Sequence, residues 1–190
     1  IKNPERLKHY ATIISEENLR LKRQVESVLQ VSQIDSHKIV LNNTEVDIHE
    51  LIENLSKNME PRLSELDGKI KLHLNARKHI VIGDEVHLTN ILYNLVDNAI
   101  KYCDKIPEII ITTQYKHKGI EIAVKDNGKG IEKSSHNMIF EKFFRVPNGD
   151  IHDVKGFGLG LFYVKNMIKL HKGKIAVHSI PKEGTTFTIW

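Results

Sequence analysis

Leu7, Ala11, Ile14, Asn18, Leu21, Val25, Val28 and Ser32 follow one another at alternating steps of four and three, with charged residues between them. On a helix that spacing draws one continuous seam, the heptad pattern of helices that pack against other helices. It predicts a single long, coiled-coil-like helix. Asn18 and Ser32 interrupt the seam, and a polar seam residue fixes register at some expense of stability. The competing arrangement is a helix lying on its own globular core. The polar stretch IDSHK, Ile34–Lys38, reads as a joint and not as a tight turn, which favours a separate helix. The expected division is therefore residues 1–36, the helix, and 37–190, a globular domain.

Beyond the joint, periods of two and of 3.6 alternate. KIVLNNTEV, from Lys38, is strand-like, and Asp47 with Glu50 three residues later opens a helix as an acid-led capping box. Its apolar face is Ile48, Leu51, Ile52, Leu55 and Met59; Pro61 is expected to disturb its last turns and Gly68 to stop it. Short strands are expected at KIKLHL and HIVI, followed by a helix after Gly83-Asp84. IIITTQY and GIEIAVKD alternate as a hairpin pair around KHK, and a helix from about Gly158 to His171 precedes two last strands around PKEG. Strand and helix do not alternate strictly, so the fold class is a two-layer α/β sandwich: a mixed, largely antiparallel sheet covered by helices on one face.

Composition excludes several classes. At 190 residues and 40% apolar content, one good core is affordable but not two large domains. No apolar run is long enough to span a bilayer and no leader pattern opens the chain; the first residue, Ile1, suggests a piece of a longer protein. The single Cys103 fits a reducing, cytoplasmic setting. Net charge is +4, but 28 Lys and Arg interleave with 24 acids and no basic run stands out, which argues against nucleic acid. Eleven histidines lack metal-ligand spacing and are expected to face solvent.

Four segments carry possible chemistry. In KGFGLGLFYVK, Gly156, Gly158 and Gly160 precede a helical pattern, yet Leu161 stands where a dinucleotide GxGxxG needs its last glycine, and no strand precedes the run. What survives is a close backbone approach to an oxyanion, aided by a helix start. Asn94, Asn98 and Lys101 share one stripe of a helix whose core face is Leu88, Ile91, Leu92, Leu95 and Ala99. Asparagine oxygens suit a magnesium ion that keeps most of its waters, and Lys101 could neutralise a phosphate; the plain alternative is a solvated helix face. Asp126 ends an apolar strand and begins DNGKG, so its carboxylate could accept from the exocyclic amine of adenine, where guanine would present a carbonyl; a simple turn competes. IFEKFFRV, Ile139–Val146, offers three phenylalanines as anchors of a lid formed by PNGDIHDV, with Arg145 at the junction able to reach a terminal phosphate.

In this order NxxxNAxKY, DNGxG, FExFFR and GxGLGL resemble the N, G1, F and G2 boxes of the histidine kinase ATP-binding domain, and GTTF from Gly184 resembles its final strand. The heptad helix resembles the second helix of the dimerisation and phosphotransfer hairpin. The resemblance implies three helices on a mixed sheet, ATP and Mg2+ as ligands, and γ-phosphoryl transfer to a histidine for relay to the aspartate of a response regulator. It implies that Asn98 ligates magnesium with Asn94 beside it, that Lys101 and Arg145 contact phosphate, and that Tyr102 lines the nucleotide pocket. It further implies Asp126 as adenine acceptor, Gly128, Gly130, Gly156, Gly158 and Gly160 as loop glycines, and Ile131, Phe140, Leu159, Leu161 and Thr185 around the nucleotide. A homodimer through the N-terminal helix is expected, with any membrane attachment in segments outside the chain.

Two departures refine this expectation. Related ATPases that activate water carry glutamate where Asn94 stands, and an asparagine cannot take the proton. The acceptor pattern, a histidine followed by an acid and then a proline pair, is absent. His49-Glu50 begins like it but lacks the proline, and His9 has no following acid, so the acceptor helix is expected upstream of Ile1. The alternative from another class is an ATP-shaped regulatory or docking module with little turnover.

Overall fold

The computed structural model describes residues 39–116, 119–146 and 157–190, and, within the preceding segment, residues 10, 11, 13–15, 18, 25, 29, 32 and 34. The chain divides into two compact units, Ile1–Ile39 and Val40–Trp190. In the first, every described residue from Tyr10 to Ile34 is helical. The seam positions described there, Ala11, Ile14, Asn18, Val25 and Ser32, are all exposed, Ile14 at 62% and Val25 at 58%. Leu7, Leu21, Val28, His9 and most of the joint lie outside the described residues.

In the second unit the elements are β1 (Thr44–Asp47), α1 (Ile48–Ser64), β2 (Lys69–Leu74), β3 (Ile80–Gly83), α2 (Glu85–Lys101), β4 (Glu108–Lys116), β5 (Gly119–Asp126), 3-10 turns at Lys133–Ser135 and Met138–Phe140, α3 (Gly160–Leu170), β6 (Ile175–Ile180) and β7 (Gly184–Ile189). A five-stranded sheet runs β2-β4-β5-β7-β6, antiparallel except where β2 lies parallel to β4. A separate antiparallel pair joins β1 to β3. Ile52 on α1, Ile91 and Val96 on α2, Ile111 on β4, and Val164 and Met167 on α3 are all 0% exposed, which places one core between three helices and the sheet. Each such side chain contributes about 1.5–3 kcal/mol by leaving water. The opposite face presents the cross-strand row Lys71, Ile110, Lys125, Thr186 and His178, mostly polar and uncovered.

Several local expectations are corrected. The first strand begins at Thr44 and not at Lys38. Asp47 does cap α1, its Oδ1 accepting from the N–H of His49 at 2.9 Å and of Glu50 at 3.2 Å, but the Glu50 side chain does not return the bond. Pro61 lies inside the last turn and a half of α1, which runs on to Ser64. The left-handed residue after α1 is Asp67 (φ 53°), one position before the Gly68 credited with the stop, and after α3 it is Lys172 (φ 61°), one position before Gly173.

The histidines are not generally solvent-facing. His49, His79, His87, His136 and His171 are half-buried and hydrogen-bonded. His171 shows why. Its Nδ1 donates to the Met167 carbonyl at 2.8 Å while its Nε2 accepts the N–H of Asp84 at 3.0 Å, so a neutral ring ties the end of α3 to the start of α2. Nearby, His87 Nδ1 lies 2.7 Å from the Tyr163 hydroxyl, whose pKa burial pushes up to about 12. His49 stacks on His79 with ring centroids 4.3 Å apart and bonds Thr113, which occupies it structurally.

Candidate functional site

Helix α2 carries the polar stripe. Its buried face, Ile91, Leu92, Leu95, Val96, Ala99 and Ile100, fixes its rotation, and Asn94, Asn98 and Lys101 then emerge half-buried beside that face. Asn94 Nδ2 donates to the Asn90 carbonyl one turn earlier at 2.7 Å. That bond aims Oδ1 at the start of α3, where a Cβ added to Gly160 would stand 2.6 Å from it. The Asn98 amide takes no hydrogen bond from the described residues. Lys101 Nζ lies 3.5 Å from Asp97 Oδ2, and Asp97 Oδ1 accepts Arg62 Nη1 at 2.6 Å.

Asp126 continues the inward face of β5 after Ile122 and Val124 and is itself buried. One carboxylate oxygen, Oδ1, accepts two backbone donors, the N–H of Gly128 at 2.8 Å and of Thr185 at 3.1 Å. Burial holds its pKa above the ordinary carboxylate value, opposed by those two hydrogen bonds. The second oxygen accepts nothing from the described residues. Since no fully buried side-chain oxygen among the described residues lacks a partner, this oxygen faces open space.

The glycine-bearing loops converge on these groups. A Cβ on Gly128 would meet the Tyr102 carbonyl at 2.8 Å, and the same carbonyl accepts the Lys129 N–H at 3.0 Å, fastening the loop after β5 to the end of α2. Tyr102 is 40% exposed at its edge, yet burial raises its hydroxyl pKa, with the Arg145 charge close enough to oppose the rise. Gly130 takes φ +68° with its α-carbon against the Ile180 carbonyl. Ile131 N–H donates to Ser179 Oγ at 2.8 Å; that hydroxyl bonds the Gly184 carbonyl and lies 2.8 Å from Thr185 Oγ1. Ser179 carries no motif signature, and its part in holding this loop was invisible in the sequence.

The segment leading to the proposed lid differs from its expectation. Phe140 alone is buried, edge-on to Phe187 at 6.3 Å between centroids, while Phe143 is 63% exposed with φ 61°. Phe143 is thus not an anchor of this segment, whereas Phe140 is buried and Phe144 half-buried. Its end is tied to the glycine turn: Phe143 N–H donates to the Gly158 carbonyl at 3.1 Å, and Gly158, at φ +71°, leaves room for the Phe144 carbonyl. Leu159 is buried and Leu161 half-buried at the start of α3, and no side chain among the described residues caps that helix N-terminus. Gly156 and residues 147–155 lie outside the described residues.

The profile of the histidine kinase-, DNA gyrase B- and HSP90-like ATPases matches residues 83–190. The chain belongs to this ATPase family. Within the family, its similarity reaches beyond the matched region. It is 40% identical over 190 residues to the sensor protein RprX of Bacteroides fragilis, covering 99% of this chain and 37% of that one. The crystal structure of full-length ShkA with AMPPNP superposes with a TM-score of 0.83 at 26% identity, covering 96% of this chain and 38% of ShkA. The histidine kinase ThkA, solved in complex with the response regulator TrrA, gives 0.72 at 25% identity over 100% of this chain and 52% of that chain. The chain spans less than half the length of the curated relatives it matches. The helix-covered mixed sheet is thus the fold of histidine kinase catalytic domains. No helix among the described residues is long and apolar enough to cross a membrane.

Proposed function

We propose that this chain is the ATP-binding catalytic portion of a two-component sensor histidine kinase, passing the γ-phosphoryl group to a histidine on a helix it does not itself contain. The observation that carries this reading is the convergence on α2. Asn94 abuts Gly160, Tyr102 carries the loop containing Gly128 and neighbours Arg145, and Gly158 is bonded to Phe143, so all four motif segments share one neighbourhood. Asp126 supplies an outward oxygen acceptor for the adenine amine, with Thr185 bracing the carboxylate, and Ile131, Leu159 and Leu161 border the base and sugar.

Lys101 and Arg145 meet the phosphates, joined by the uncapped N–H groups at the start of α3, which favour anions. No cluster of three His, Cys, Asp or Glu side chains among the described residues could cage a metal, so the donor set fits an ion that arrives with phosphate. Asn98, with its amide uncommitted, would hold magnesium, which when bound neutralises phosphate charge. Such transfer rests on positioning and charge neutralisation, and Asn94 offers no base to water. By analogy with the ThkA complex, the downstream partner is a response regulator. The exposed apolar seam of the N-terminal helix is the surface for a homodimer, residues 1–36 being half of a phosphotransfer hairpin and 37–190 the catalytic domain. The parent protein would place this domain in the cytoplasm.

The chain is expected to bind ATP with magnesium dependence and not to label itself, but to label a separately produced acceptor hairpin given radiolabelled ATP. Persistent absence of label on the hairpin, with ATP bound, would favour a regulatory module instead. Gly160→Ala is expected to weaken Mg-ATP binding about tenfold, because the added methyl displaces the Asn94 amide. Its melting temperature should hold, since the group pushed aside is a side-chain end and alanine suits a helix better than glycine. Calorimetric titration and thermal unfolding together decide this.

A further inference from the structure

The half-buried charges between α1 and α2 are placed unequally. Asp97 Oδ1 accepts Arg62 Nη1 at 2.6 Å, whereas Asp97 Oδ2 is 3.5 Å from Lys101 Nζ. Side-chain exposures are 40% for Arg62, 23% for Asp97 and 28% for Lys101, so water screens this group less than an open surface pair. Asp97 and Lys101 are one turn apart on α2, while Arg62 reaches over from the last turn of α1. A carboxylate engaged by a guanidinium at 2.6 Å pulls less strongly on a second cation, and its other oxygen keeps Lys101 only in a long ion pair at 3.5 Å. The ammonium is therefore kept nearby but not seized.

We propose that Arg62 is a positioning residue for phosphate binding: by occupying Asp97 it keeps the Lys101 ammonium free to meet the nucleotide phosphates. The proposal rests on the assignment of Lys101 as a phosphate contact. Without Arg62, Asp97 carries its charge unopposed, and Lys101, on the same helix face, closes to full contact and is withdrawn from the ligand. Arg62 acts only through Lys101, and only while residue 97 is an acid.

These conditions are testable by titrating magnesium-ATP and adenosine against a small set of variants of the whole chain. Lys101→Met should weaken ATP and leave adenosine unchanged, which tests the phosphate assignment by itself. Arg62→Met should weaken ATP about five- to tenfold, again without affecting adenosine. It should add nothing in the Lys101→Met background. Arg62→Met with Asp97→Asn should return ATP affinity to within about twofold of the unmodified chain. An equal effect of Arg62→Met in both backgrounds, an unrestored double variant, or a parallel loss of adenosine would each overturn the positioning role while the phosphate assignment stands. ATP affinity unchanged in Lys101→Met would overturn that assignment, and the proposal with it.

Discussion

Asp126→Asn is expected to weaken ATP binding about ten- to a hundredfold while leaving the melting temperature where it was. Asparagine can keep its Oδ1 under the N–H groups of Gly128 and Thr185, so the local scaffold survives. The other terminus becomes an NH2 donor facing the donor amine of adenine. A charge-assisted hydrogen bond worth about 1.5–3 kcal/mol is replaced by two opposed donors. Guanine, with a carbonyl at that place, should lose nothing and gain in relative terms. The substitution also removes a buried charge, which is why no loss of stability is expected.

Acidification should reproduce the substitution. Because burial holds the Asp126 pKa above its ordinary 3.8, its proton arrives at a higher pH than for an exposed aspartate. Discrimination for ATP over GTP should accordingly be full above that raised pKa and fall as pH drops through it. Competition titrations with both nucleotides across pH measure this directly. An Asp126→Asn chain that binds ATP as tightly as the unmodified one would defeat the adenine assignment.

Gly184→Ala is expected to lower the melting temperature by about 6–12 °C, the equivalent of roughly 3 kcal/mol in a unit of this size. Gly184 has φ +128°, a conformation L side chains rarely adopt, and a Cβ there would stand 2.1 Å from the Asp126 carbonyl oxygen. Neither chain can yield cheaply, because Thr185 N–H is bonded to the Asp126 side chain and Ser179 Oγ to the Gly184 carbonyl. Gly119→Ala is the control: its nearest neighbour among the described residues would be 3.9 Å away, and it should melt unchanged. Similar melting of the two variants would refute the argument.

The larger elements were legible because their periodicities are strong. The alternation at Ile109–Tyr115 and Gly119–Asp126 and the 3.6-residue repeat of α1 and α2 report burial directly. What was not legible depends on distant partners. Pro61 is tolerated because it lies exposed near the end of α1, and Phe143 is exposed because the glycine turn, fifteen residues on, holds its backbone in the left-handed region. The histidines face inward because their ring nitrogens find Thr113, Asp84 and Met167, contacts that no local pattern announces. The motif residues of the site were visible because close backbone approach demands glycine and a buried acceptor demands an acid. Ser179, Arg62 and Asp97 were not, since each works through a partner on another element, or on both its own and another.

The one parallel pairing among the described strands, β2 beside β4, has a consequence for how the site comes into being. Two parallel neighbours need a return path, and here that path contains β3 and α2. The helix bearing Asn94, Asn98 and Lys101 is itself the strap that returns the chain to the sheet. Its polar stripe thus acquires its orientation only when the closure that brings Lys69 beside Glu108 is made, a step whose entropic cost falls before its contacts are rewarded. Orientation of the α2 stripe and completion of the β2 edge are therefore coupled, so a chain that has not closed this edge holds no oriented stripe.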